Sequence, residues 1–100
     1  MSERRRFIVL THRKPEDNGV TVDHVDEVNF VFANFIGGPI SAVHSRGDAL
    51  GSFIELDVDS EPEALAFARE LPAVKAGIEK AVVIPLRPYA PFVALAEAWD

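Results

Sequence analysis

Leu50-Gly51-Ser52-Phe53-Ile54-Glu55-Leu56-Asp57-Val58-Asp59-Ser60-Glu61-Pro62-Glu63 is the stretch that decides the fold. Its first part alternates. Ser52, Ile54, Leu56 and Val58 fall on one face and Phe53, Glu55 and Asp57 on the other, as successive side chains of a strand do. The period then changes. Ser60 and Glu63 have capping-box spacing, and Pro62 sits in a first helical turn, where its missing N–H costs little. A strand over Leu50–Val58 therefore passes directly into a helix, which runs to about Leu71 and stops at Pro72.

Working outward toward the N-terminus, Ile40 to Ser45 reads as a strand, and Arg46-Gly47-Asp48 turns it into a hairpin with the first. Gly37-Gly38-Pro39 ends a helix: glycine supplies a left-handed cap and proline cannot continue. That helix is predicted from about Val22 to Phe35, capped by Thr21. Val25, Val28, Val31, Phe32 and Phe35 give it one apolar stripe for the core. Asp23, Asp26 and Glu27 crowd its first turns, where the helix dipole favours negative charge. Before it, Arg13 to Gly19 is loop chemistry, and Arg6 to His12 is a short apolar, β-branched strand. Toward the C-terminus, Ala73 to Gly77 is a turn and Ala81 to Leu86 a fourth strand. Pro85 cannot donate to a ladder, so this strand belongs at an edge. Pro91 opens a short helix through Trp99, over about residues 90–100.

The order β-α-β-β-α-β is the ferredoxin-like α+β pattern with a four-stranded antiparallel sheet. It fills one domain over residues 1–100. Two helices cover one face of such a sheet. The other face, bearing Phe53, is left bare, which points to a homodimer or larger homo-oligomer.

Composition narrows the function classes. The chain has no cysteine, so disulfides, thiolate catalysis and cysteine-rich zinc sites are excluded. A net charge of −6 argues against nucleic acid as a partner, because phosphate binding needs clustered Lys and Arg. The basic lead-in Arg4 to Arg6 precedes an apolar run of only Phe7 to Leu10. An export signal needs about 7–15 apolar residues and a membrane span about 20. The expectation is a cytoplasmic protein without a membrane partner. No His-x-x-x-His pair is present, and Gly37-Gly38 follows a helix instead of preceding one. Neither a metal nor another cofactor is expected.

Three histidines remain as candidate general acids or bases: His12, His24 and His44. His24 falls in register with Val28, Val31 and Phe35, which directs it toward a cavity between the first helix and the sheet, with Asp23 and Glu27 nearby. His12 ends the first strand on the side of Ile8 and Leu10. His44 shares a face with Ile40 and Ala42. Arg46 or Arg13 can hold a substrate carboxylate by bidentate pairing. Glu55, if its face meets a partner, must be paired or neutral. Tyr89 and Trp99 can wall a pocket or cover a dimer seam. The competing reading of each histidine is a solvated rim or loop residue.

The fold pattern, with Leu50 to Ser60 followed by Glu63-Ala64-Leu65 and Leu71-Pro72, resembles the muconolactone isomerase-like families of the dimeric α/β barrel superfamily. The YCII-like family of that superfamily is similar too, through Pro72-Ala73-Val74-Lys75-Ala76-Gly77, Arg87-Pro88-Tyr89 and the placement of His24. Leu71 departs from that second pattern, where an acid is usual. The resemblance implies a dimeric barrel and a cofactor-free isomerase or cyclase, moving protons by histidine on a small, largely apolar anionic lactone or polyketide-like ring. It leaves open a cofactor-independent monooxygenase of the same superfamily and a non-catalytic accessory or binding domain.

Overall fold

Every strand of the sheet touches, directly or through one neighbour, the first one. The computed structural model describes residues 5–14 and 24–99. In it β1 (Arg5–Arg13) pairs antiparallel with both β3 (Ser52–Val58) and β4 (Glu79–Pro85), and β2 (Ile40–Ser45) pairs antiparallel with β3. The order is β2-β3-β1-β4. Helices α1 (His24–Ile36), α2 (Glu61–Glu70) and α3 (Pro72–Lys75) complete the ferredoxin-like α+β fold, and α4 (Ala90–Trp99) follows β4. The Thr21 cap, the Pro15–Gly19 loop, Asp23 and the side chains of His24 and Trp99 lie outside the described residues.

The core lies between the sheet and α2, where Phe7, Val9, Ile54 and Leu56 from the strands meet Ala64, Ala68 and Leu71. Alternation puts these strand residues on one face, and the alanines let α2 approach closely. Ser60 caps α2 by accepting from the Glu63 N–H, and Glu63 reaches back to accept from the Asp59 N–H. Pro85 is at the sheet edge. The next residue, Leu86, donates its N–H to the Arg6 carbonyl at 2.9 Å, so alternation turns the proline nitrogen outward, where no donor is needed.

Several details differ from the sequence reading. Strand β3 begins at Ser52, because Gly51 has φ +147° and a Cβ there would overlap the Thr11 carbonyl. Strand β4 begins two residues earlier than expected, at Glu79. The stretch after Leu71 is a helical turn, α3, with Pro72 in its first position and Gly77 closing it at φ +77°. Neither Gly37 nor Gly38 is left-handed. Gly38 is needed for clearance instead, since a Cβ there would meet the Asn34 carbonyl at 2.9 Å.

Helix α1 departs most. Its inward side is Glu27, Phe30, Val31 and Asn34, spaced i, i+3, i+4, i+7. Phe30 and Val31 pack on the core, and Phe30 stacks at 5.5 Å on Phe67. Glu27 accepts the Ala73 N–H at 3.0 Å and ties α1 to α3. The expected core stripe instead faces outward: Val25, Val28, Phe32 and Phe35 are exposed, and only Val31 of that set turns in. The helix is apolar on two sides, and the side that packs on the core is the one Glu27 ties to α3.

Candidate functional site

The face of the sheet away from the helices carries His12 and His44. On β1 the residues alternate with the core, so Ile8, Leu10 and His12 point to this open side. Register then fixes their neighbours. Leu10 lies opposite Phe53 on β3 and Val82 on β4, and Phe53 lies opposite His44 on β2. The next row holds His12 opposite Lys80. The row on the other side holds Ile8 with Glu55, Ile84 and Ala42.

His44 reaches this face through a bulge. Ile40 pairs with Leu56 and Ala42 with Glu55, so Ser41 is an extra residue. Ile40 is therefore in the core while Ala42 and His44 are on the open face. The sequence reading put Ile40, Ala42 and His44 together because simple alternation has no place for a bulge. The ring of His44 lies 6.2 Å from that of Phe53. His12 and His44 are two strands apart and offset by two residues, roughly 12 Å between Cα atoms from strand spacing and rise. Phe53 and Gly51 lie between them, and Gly51 adds no side chain.

Arg46 is fixed beside them. Its guanidinium donates to both carboxylate oxygens of Asp48, at 2.9 and 2.8 Å, and to the Thr11 carbonyl at 3.3 Å. Its side chain is only 16% exposed. The bidentate fork expected to hold a substrate carboxylate is thus filled by one from its own turn. The hydrogen bonds from Arg46 hold the Asp48 carboxyl below its ordinary value, with the charges of Arg46 and His12 adding to the effect. The Arg46 guanidinium is pushed up by the same bond. Thr11, which carried no signal in the sequence, is buried and accepts the Ser52 N–H at 2.8 Å. Together these contacts clamp the hairpin turn onto β1. Arg13 pairs its N–H with the Leu50 carbonyl at 3.0 Å, one residue beyond His12.

The other candidates are elsewhere. Tyr89 lies beyond the opposite end of β4, with its ring edge on Phe92 at 4.9 Å. From Lys80 to Leu86 the strand covers about 20 Å, so one chain does not bring Tyr89 to the histidines. His24 opens α1, and the expectation placed on its ring and on Trp99 lies outside the described residues. Glu55 is half-buried and accepts from Arg6 at 3.2 Å. Two open clefts also lie at the far end. One, of about 870 Å³, is lined by Arg5, Arg6, Phe7, Glu61 and Pro85–Pro88. The other, of about 430 Å³, is lined by Gly37–Pro39, Asp57–Asp59 and Glu63. Neither includes a histidine. Among the described residues no three carboxylate or imidazole groups converge as metal ligands.

No family model and no curated protein matches this chain. A solved structure does. The 5-chloro-2-hydroxyhydroquinone dehydrochlorinase TftG from Burkholderia phenoliruptrix AC1100, in complex with 2,5-dihydroxybenzoquinone, superposes with a TM-score of 0.69. The match covers 85% of this chain and 96% of that one, at 18% sequence identity. The shared architecture is the ferredoxin-like α+β fold with a four-stranded antiparallel sheet. The likeness is one of fold. No helix among the described residues is long and apolar enough to cross a membrane.

Proposed function

We propose that the chain is a cofactor-free enzyme that moves protons on a small oxygenated ring, as an isomerase or cyclase does, using the open sheet face. The observation that carries this reading is the pair His12 and His44, set on either side of Phe53 over a floor of Leu10, Val82 and Ile8. An apolar floor binds a flat ring, and two imidazoles can take and give protons beside it. One, neutral, takes a proton from the carbon beside a carbonyl. The other, protonated, returns one to the ring. Lys80, opposite His12 on this face, favours an anionic substrate or a developing enolate, whereas Arg13 alternates to the covered side of β1 with Val9 and Thr11. The structural neighbour acts on a chlorinated hydroxyhydroquinone and holds a dihydroxybenzoquinone, which is the substrate class a face of this kind suits.

In an isolated chain most of this face is open to water, with Ile8 alone buried among its neighbours. A second copy laid against it would exclude water and strengthen each polar contact. The proposal therefore includes a homodimer formed through the sheet. Purified protein is to be assayed for consumption of hydroxylated quinones and enolisable lactones. His12→Gln and His44→Gln should each lower turnover about 100–10,000-fold while leaving the circular dichroism unchanged. His24→Ala is made alongside, because a histidine at the start of α1 is the third candidate. If all three variants turn over substrate at the wild-type rate, the reading is wrong.

A further inference from the structure

Among the described residues, helix α4 is an apolar rod that packs along no other element of its own chain. Its sequence from residue 90 to 99 carries one charged residue, Glu97. Its Phe92 is 69% exposed, and Val93 and Leu95 are exposed as well. An isolated helix of ten residues is marginal in water even with good formers, so α4 needs a cover. The dimensions of the chain say the same. Its radius of gyration is 15.8 Å, against about 13 Å for a compact domain of this length. Its accessible surface is 7064 Å², whereas the size relation for monomers gives about 5,600 Å² at 11.0 kDa. The excess, roughly 1,400 Å², is of the size one partner contributes to an obligate dimer interface, and the exposed side chains of α4 are part of it.

A second apolar surface of the same chain lacks a cover. Val28, Phe32, Phe35 and Ile36 form a charge-free stripe on the outer side of α1, at i, i+4, i+7, i+8. Helix α4 cannot lie along this stripe in its own chain. Helix α1 lies over β2 and against α3, three strand spacings from β4, or about 14 Å. The residues between β4 and α4, Leu86 to Tyr89, span at most about 14 Å when fully extended, and they must also climb from the sheet to the helix layer past α2. Nor does the connection favour folding back on the open sheet face. Pro88 keeps Arg87 extended, so the chain leaves along the line of β4. That face also carries Lys80, His12 and the Arg6–Glu55 pair, which an apolar helix would strip of water.

We infer that α4 is an exchanged arm, which docks its Phe92 and Leu95 side on the Val28–Phe32–Phe35 stripe of α1 in a second copy of this chain. The inference is independent of the chemistry proposed for the histidines, and its test does not read activity.

The absence of native cysteine makes cross-linking clean. Val28→Cys, Phe32→Cys and Phe35→Cys are each mixed with Phe92→Cys and treated with a short bismaleimide. At least one mixture should give a covalent heterodimer as its main product, with the Phe92→Cys and Val82→Cys mixture giving little. The chain carrying both Phe32→Cys and Phe92→Cys should link between copies at micromolar concentration. An internally bridged monomer from that chain overturns the inference, since the arm then folds back. A main product only with Val82→Cys overturns it too, since the arm then covers the sheet. No bridge at any α1 position does the same. As a second measurement, Phe92→Glu with Leu95→Glu should move the sedimenting species to a smaller one with its sheet signal retained; unchanged sedimentation counts against the arm.

Discussion

The two faces of one sheet are built from the same strands and have opposite fates. Toward the helices, Leu56 is fully buried, as are Phe7, Val9 and Ile54. On the other side, Val82 is 57% exposed and Ile84 41%, and only Ile8, on the central strand β1, is buried. Hydrophobicity does not separate them, because both faces are rich in large apolar residues. What separates them is the polar content. The covered face hides a single polar side chain among the described residues, Thr11, whose hydroxyl is satisfied by the Ser52 N–H. The open face interleaves His12, His44, Lys80 and the Arg6–Glu55 pair with its apolar groups. A surface that is apolar yet keeps ionisable groups suits a site or an interface better than a core.

Mutations can break that contrast. Leu56→Ala should show the largest stability effect, about 2–5 kcal/mol by urea denaturation, from lost transfer energy plus the cavity left behind. Val82→Ala should cost well under that in the same assay; equal losses would mean the open face is as densely packed as the core. Phe53→Asp should leave the sheet folded and shift sedimentation from dimer toward monomer, because a charge buried without a partner costs several kcal/mol. A wild-type chain that sediments as a clean monomer at micromolar concentration would remove the interface altogether.

Gly51→Ala should loosen the clamp at the end of the open face. The new Cβ would overlap the Thr11 carbonyl, and Gly51 at φ +147° is in a conformation other residues rarely adopt. The expected loss, about 1–3 kcal/mol, should come with weaker protection of the Ser52 amide from exchange. A neutral result would mean the turn relaxes freely.

The smallest effect is that of pH through Asp48. Its carboxyl is held below the ordinary 3.8 by Arg46, so the folded chain binds its proton less readily than the unfolded chain does. The stability this adds is present above the unfolded value and disappears as pH falls through the folded one. Asp48 is mostly exposed, so solvent screens the pair. The urea midpoint of Asp48→Asn should differ from wild type by a small constant amount above about pH 5 and converge with it in acid. A gap that widens in acid would reverse the assignment.

The sequence made the fold legible wherever one local rule acted alone. Alternation in β3, the Ser60 cap and the edge proline all hold in the structure. It misled where two rules competed. The stripe from Val25 to Phe35 is a true helical stripe, yet α1 has a second one, and periodicity alone does not say which side meets the sheet. Arg46 was legible as a carboxylate binder, but not that its carboxylate would be Asp48, two residues on. His12 was placed on its face correctly, because β1 is regular. His44 was grouped with Ile40, because a bulge leaves no mark in composition.

That bulge gives β2 one residue to spare. With Ser41 removed, the remaining partners Ile40–Leu56, Ala42–Glu55 and Val43–Ile54 would still alternate in step, and His44 would keep its side. Loss of a residue from β1, which has no slack, would turn half of that strand over and carry His12 toward the core. A scan of single-residue deletions should thus find β2 tolerant at one position and β1 tolerant at none.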